Sequence, residues 1–316
     1  MSHDAAPAAA RNQKDPGGRR AQRRESLTAL GFTLPALGLV LGVYLFPMVT
    51  TIVYSVTRID VGTYTIERFV GLGNFRAVMR NEFFADVVLR TIYFGGLVSV
   101  VTLTISLLIA LHLNQSFRGR TFVQVIVLLP WAVPPVVSGV VWTQMFQPEF
   151  GFINALARAF GLTGDTIWLG SPGLALHSLV IVEVWRWIPF ATLFLLAGLK
   201  TIPKDVYEAA AVDGASLRQR LRLVTMPLLA PQLIPVAIFL FVWAMKAFDT
   251  IFVLTRGGPR SGTTTLNYLV YQQGFEQFRF GRASASAFLL TALTLVIIAA
   301  LGTISRLIQA RAGGAR

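Results

Sequence analysis

Six apolar stretches, each long enough to cross a bilayer, constrain this chain before any motif does. They run from Leu27 to Thr57, Thr91 to Leu113, Thr121 to Phe146, Pro172 to Leu199, Pro227 to Thr255 and Ala283 to Ile308. A spanning helix needs about 20 mostly apolar residues. Hydrocarbon offers no water to satisfy the backbone, so segments of this length read as helices. Hydrophobic residues make up 54% of the 316 positions and charged residues only 14%, a balance too apolar for a soluble domain. The expected fold is all-α, a polytopic membrane protein with six transmembrane helices. The expected domains are a basic, disordered tail over 1–26, a six-helix domain over 27–308 with a long loop at 200–227, and a short tail at 309–316. The twin arginines at 19–20 and 23–24 precede an apolar block far longer than a signal-peptide core, so an uncleaved first helix is expected. Prolines at 35, 47, 130, 134, 135, 189, 231 and 235 predict kinks rather than the loss of helices, because neighbouring helices can satisfy the freed carbonyls.

Orientation follows from where Lys and Arg collect. Arg11, Lys14, Arg19, Arg20, Arg23 and Arg24 lie before the first block. Arg118 and Arg120 follow the second, Lys200, Lys204, Arg218, Arg220 and Arg222 the fourth, and Arg306, Arg311 and Arg316 lie at or beyond the end of the sixth. The alternate loops dilute their arginines with Asp60, Glu67, Glu82, Asp86, Glu149, Asp165 and Glu276. Both termini are therefore expected in the cytoplasm. The net charge of +13 follows from this topology, and no basic stripe interleaved with aromatics points to nucleic acid.

Catalytic chemistry finds no footing. Cysteine is absent, so disulfides and thiolate metal sites are excluded. His3, His112 and His177 are scattered without metal-ligand spacing. No glycine-rich loop ends in Gly-Lys-Ser/Thr, and no serine sits in a nucleophile elbow. A non-catalytic chain binding no cofactor or metal of its own is expected.

Charges inside the apolar blocks stand out instead. Glu183 and Arg186 lie three residues apart in the fourth block, Lys246 and Asp249 three apart in the fifth. On a continuous helix each pair shares a face and can neutralise itself. Such residues face a bundle interior or a wet cavity, so they are either structural ion pairs or the lining of a solute path. Trp185, Trp187, Phe190, Phe194, Trp243, Phe248 and Phe252 crowd the same blocks. Aromatic platforms beside polar groups suit a sugar, while interfacial aromatic belts have the same composition. The candidate solute path is Glu183, Trp185, Arg186, Trp243, Lys246 and Asp249.

The loop from Lys200 to Pro227 is longer than a helix–helix connection requires. Pro203 and Asp205 suit the start of a helix, Tyr207 to Val212 continue it, and Gly214 supplies a left-handed stop. Ser216 followed by Gln219 makes a capping box for a second helix, with Leu217, Leu221 and Val224 as its apolar stripe. The expected unit is a compact helix-turn-helix lying on the cytoplasmic face. A lipid-resting helix explains its arginines but not its Glu-Ala-Ala and Asp-Gly pairs.

At these positions the chain resembles a known family. Glu208, Ala209, Ala210, Asp213, Gly214, Ala215, Ser216 and Pro227 match the EAA signature of permease subunits of ATP-binding-cassette importers in the maltose-type carbohydrate group. The resemblance extends over about 28–308, through Pro130, Trp142, Gly151, Asn154, Trp168, Pro189, Phe248-Asp249, Gly257-Gly258-Pro259 and Gly281. Leu221 and Met226 stand where the family often has phenylalanine and leucine, and both keep an apolar contact. The resemblance implies a type I importer fold, with the EAA segment as a coupling helix docked on an ATPase. It implies a complex of this chain with a second permease, two cytoplasmic ATPase subunits carrying ATP and Mg, and an extracytoplasmic solute-binding protein, in a bacterial cytoplasmic membrane. A sugar is the implied substrate, a disaccharide such as trehalose, with glycerol 3-phosphate and other oligosaccharides as alternatives. From another class, an ion-coupled secondary transporter would use the two intramembrane charge pairs, and a membrane scaffold would need no path at all.

Overall fold

The computed structural model describes residues 16–63, 65–161 and 166–313, with backbone alone at 16–27, 304–305 and 308–313. Residues 1–15 of the expected tail, Asp165 and residues 314–316 lie outside the described residues. The chain forms two compact units that divide between Val53 and Tyr54.

The described part of the first unit is one helical run, which continues across the division to Val56. Helix Pro16–Val40 passes through a π-helical turn, Leu41–Leu45, into helix Phe46–Val56. The backbone is thus helical eleven residues before the expected span boundary at Leu27. The π turn has a local cause: a proline ring clashes with the carbonyl four residues back, and for Pro47 that residue is Val43, inside the widened turn. Thr33, Thr50 and Thr51 return their hydroxyls to the carbonyls of Ala29, Phe46 and Pro47 and so hide their polarity from an apolar solvent.

The second unit opens with an antiparallel hairpin, Thr57–Ile59 against Ile66–Phe69, and a short helix, Gly73–Met79. The second span is helix Glu82–Leu113, starting nine residues before the expected Thr91 because Asn81 caps it, its side chain accepting from the Phe83 amide. The fourth is Pro172–Lys200 and the sixth begins at Phe280, in a helix whose backbone runs to Gly313. Five helices among the described residues are long and apolar enough to cross a membrane, and a bent pair that passes the same test together brings the number to six if it is counted as one span.

That pair corrects the third expected span. Thr121 to Phe146 is not one kinked helix but two, Arg120–Ala132 and Pro135–Met145, at 101° to each other. Val133 precedes Pro134 and Pro134 precedes Pro135, and a residue before proline is driven out of the α region. Both are extended, with ψ of 124° and 141°. The fifth span is broken too. Its helix stops at Met245, and a short helix, Asp249–Leu254, starts after a three-residue gap. By contrast the helix continues through Pro189, Pro231 and Pro235.

Spans two, four and five form the core. Leu179, Leu195, Leu199, Leu229, Leu240 and Phe94 are fully buried there. Lipid supplies no hydrophobic drive for helix association, so packing and polar contacts carry it. Ser99 of the second span donates to the Ala237 carbonyl of the fifth at 3.0 Å, and Ser106 to the Ile188 carbonyl of the fourth at 3.2 Å. His177 in the fourth span lies 2.9 Å from the Tyr93 hydroxyl of the second, an interhelical tie rather than a ligand.

Candidate functional site: an exposed loop helix and a buried carboxylate

The connection between spans four and five carries helix Lys204–Val212. Pro203 stands at its N-cap rather than inside its first turn, and Asp205 lies in that turn, where the helix dipole favours an anion. Gly214 has φ of +76°, and the Ala215 amide donates to the Ala210 carbonyl at 2.9 Å across it. This is the left-handed stop that glycine adopts without Cβ strain. Ser216 then makes the capping box: its amide donates to Gln219 Oε1 at 2.8 Å and its hydroxyl accepts from the Gln219 amide at 3.4 Å.

The second helix departs from expectation. It does not lie apart on the membrane face. Leu217–Arg220 runs through a π turn, Leu221–Thr225, directly into Met226–Met245, so the fifth span begins at Leu217 and the free loop is only 201–216. Pro227 again explains the π turn, since the residue four before it, Leu223, lies within it. Thr225 donates to the Arg220 carbonyl at 3.3 Å, and its hydroxyl sits 3.1 Å from that of Tyr207. Tyr207 thus latches the loop helix to the widened turn of the span.

Glu208, Ala209, Ala211, Asp213 and Gly214 are exposed, Ala210 and Ala215 half-buried. Val212 is 88% and Leu217 78% exposed. Two open apolar side chains thus stand on either side of the turn.

The charged residues within the spans divide into two situations. Glu183 is buried, at 2% exposure, and fully engaged. Its Oε2 accepts from Trp187 Nε1 at 2.9 Å, its Oε1 accepts from the Thr250 hydroxyl, and Arg186 Nη1 lies 3.8 Å away. Trp185 packs edge-on against Trp142, with ring centres 5.7 Å apart. Glu183 therefore joins the fourth span to the short helix that follows the break in the fifth. The second pair is not a pair. Lys246 caps the end of one helix and Asp249 opens the next, and among the described residues no ion pair joins them. Three residues are a helical turn only while the helix continues. Lys246 and Trp243 are exposed, and Asp249 is half-buried.

Trp243 belongs to an aromatic ribbon. Its ring centre is 5.0 Å from that of Trp187 and 5.5 Å from that of Phe239, which stacks on Phe190 at 4.4 Å. Of the six residues named from sequence, Glu183 and Arg186 meet directly, Trp243 joins them through Trp187, and Lys246 stands apart. Sequence reasoning missed Thr250 and the latch between Tyr207 and Thr225. Thr250 is 67 residues from Glu183, and Tyr207 18 from Thr225, separations at which residue spacing carries no signal.

A model of the binding-protein-dependent transport system inner membrane component family matches residues 102–313. The chain belongs to this family. It is a non-catalytic permease subunit and a multi-pass protein of the cytoplasmic membrane. The permease is 37% identical to the trehalose/maltose transport system permease protein MalF of Thermococcus litoralis, over 86% of this chain and 91% of that one. It is 34% identical to the sn-glycerol-3-phosphate transport system permease protein UgpA of Agrobacterium fabrum, over 73% and 78% of the two chains. Its fold superposes on a bacterial ABC transporter that imports the acidic polysaccharide alginate, with a TM-score of 0.78 at 22% identity, covering 93% of this chain and 99% of that one.

Proposed function

We propose that this permease is half of the membrane channel of an ATP-driven importer for a neutral sugar, a disaccharide of the trehalose and maltose class. The observation that carries the coupling half of this reading is the loop helix Lys204–Val212. It is exposed on its outer face, held rigid by a left-handed glycine and a capping box, and latched to a span through Tyr207. A free-standing membrane bundle has no use for such a helix. A cytoplasmic ATPase that must move the spans does.

On this reading both termini and the 201–216 loop face the cytoplasm, as the positive residues favour. Glu208, Ala209, Ala210, Asp213, Gly214, Ala215 and Ser216 meet the ATPase, and Pro227 sets the turn through which its motion enters the fifth span. ATP and Mg reside on two ATPase subunits. A second, similar permease completes the path, and an extracytoplasmic binding protein delivers the solute. Closure of the ATPases draws the loop helices together and turns the path outward; hydrolysis resets it. The partly exposed ribbon of Trp243, Phe239 and Phe190, with Trp185 and Arg186 nearby, offers apolar faces beside polar groups, as a sugar requires.

One observation favours a phosphate-bearing solute instead: Lys246 is exposed and makes no ion pair among the described residues. Uptake of labelled trehalose into proteoliposomes holding the whole complex separates the two. Unlabelled maltose is expected to compete and sn-glycerol 3-phosphate is not. Competition by glycerol 3-phosphate alone, relieved in Lys246→Gln, overturns the sugar assignment. Uptake that persists without ATP and collapses with a protonophore overturns the importer reading itself.

A further inference from the structure

Four arginines converge on one cavity outside the proposed coupling and solute regions. It is an open-sided cavity of about 420 Å³ between the Thr57–Phe69 hairpin, helix Gly73–Met79 and the start of the sixth span, lined by exposed Arg58, Arg68 and Arg279 and half-buried Arg282. No carboxylate is among the lining residues. Arg58 pairs with Glu67 at 3.2 Å, while Arg68, Arg279 and Arg282 make no ion pair among the described residues. Like charges gathered in this way repel unless an anion sits between them.

The walls are locked. The Asn74 amide donates to the carbonyls of Ser55 and Thr57 at 2.9 and 2.8 Å and so ties the short helix to the hairpin. At Gly281 a Cβ would lie 2.6 Å from Asn74 Nδ2 and 2.7 Å from the Thr57 carbonyl oxygen, so only glycine lets the sixth span close against them. The first turn of that long helix adds its own partial positive charge to the cavity.

The depth of the cavity follows from the chain. Thr57 directly follows Val56, the last residue of the first candidate span, and Phe280 opens the last one. Both walls therefore stand at the boundary of the hydrocarbon, where phospholipid phosphates lie. Exposed apolar residues flank the arginines: Phe69 is 74%, Leu72 60% and Ile66 53% exposed. Apolar and basic side chains mixed on one surface are the pattern of an element seated in a headgroup layer. A guanidinium fork matches two oxygens of one phosphate.

We propose that this cavity binds the phosphate of an anionic phospholipid, in the leaflet on the face opposite the 201–216 loop. The bound lipid neutralises the arginines and joins the hairpin to the first turn of the sixth span.

The test uses the full complex in nanodiscs of phosphatidylcholine with and without phosphatidylglycerol, reading retained lipid by native mass spectrometry. The wild type is expected to keep phosphatidylglycerol selectively. Arg68→Gln/Arg282→Gln is expected to lose about 25-fold in retention, at roughly fivefold per basic residue near an anionic surface. The single variants, each expected to fall about fivefold, keep the test informative should the double variant assemble poorly. Wild-type retention in all three variants overturns the site. Inorganic phosphate binding to the detergent-purified complex without lipid selectivity overturns the lipid as its source. Loss of binding-protein-stimulated ATPase activity with lipid retention unchanged assigns the arginines to a protein partner and overturns the proposal.

Discussion

Gly214→Val is expected to leave the permease in the membrane and to cut ATP-driven uptake about tenfold. The substitution meets no neighbour, since a Cβ at Gly214 has open space around it. Its cost lies in the backbone, where φ is +76° and an L residue is strained by roughly 1–2 kcal/mol. That is too little to unfold the bundle, but at about 1.4 kcal/mol per factor of ten it suffices to displace the loop helix from the geometry in which we propose it docks. Glu208→Lys reverses a charge on the exposed face without touching the turn, and it is expected to reduce co-purification of the ATPase subunits directly. Tyr207→Phe removes only the contact to Thr225, 3.1 Å long and worth about 0.5–1.5 kcal/mol. It is expected to preserve ATPase binding and binding-protein-stimulated hydrolysis while fewer solute molecules cross per ATP. Measuring uptake, hydrolysis and co-purification together separates docking from transmission. Normal uptake in both Gly214→Val and Glu208→Lys would remove the loop from the coupling machinery.

The apolar blocks, the left-handed stop at Gly214 and the capping box at Ser216 are legible in the sequence because each is decided locally, within a few residues. The errors share one cause. Val133 and the Lys246-Ala247-Phe248 gap lie inside apolar runs whose composition is the same whether the helix continues or breaks. Consecutive prolines at 134 and 135 disfavour helix at two successive residues, Val133 and Pro134, whereas the single prolines at 189, 231 and 235 are carried inside helices. Nothing comparable marks Lys246. There the short helix Asp249–Leu254 is held in place from outside, by packing against Pro135–Met145 and by the contact between Thr250 and Glu183. The short extent of the free loop, 201–216, is hidden in the sequence for a related reason. A capping box fixes where a helix starts, and only the uninterrupted backbone shows that this helix is already the fifth span.

Glu183 separates three readings of the intramembrane charges, and its two substitutions are expected to behave differently. Glu183→Gln keeps the shape and most of the hydrogen bonding. The amide oxygen accepts from Trp187 Nε1, and the amide nitrogen donates to the Thr250 hydroxyl, which can accept as readily as donate. Only the charge opposite Arg186 is lost, and that guanidinium is 21% exposed and rests over the Trp187 ring. Near-normal assembly and uptake are expected. Glu183→Ala instead leaves the Trp187 and Thr250 donors without an acceptor among residues that are 8% and 3% exposed. Each such orphan costs about 1–3 kcal/mol, and the vacated volume adds a cavity penalty. The tie between the fourth span and helix Asp249–Leu254 is then lost. The complex is expected to dissociate at lower temperature and uptake to fall through maximal rate rather than through the half-saturating solute concentration. A proton- or ion-coupled carrier would lose uptake in Glu183→Gln as well, because its charge would be the coupling site. A direct solute ligand would raise the half-saturating concentration in both variants with thermal stability unchanged. Tolerance of glutamine with intolerance of alanine therefore identifies Glu183 as the joint that holds the broken fifth span against the fourth.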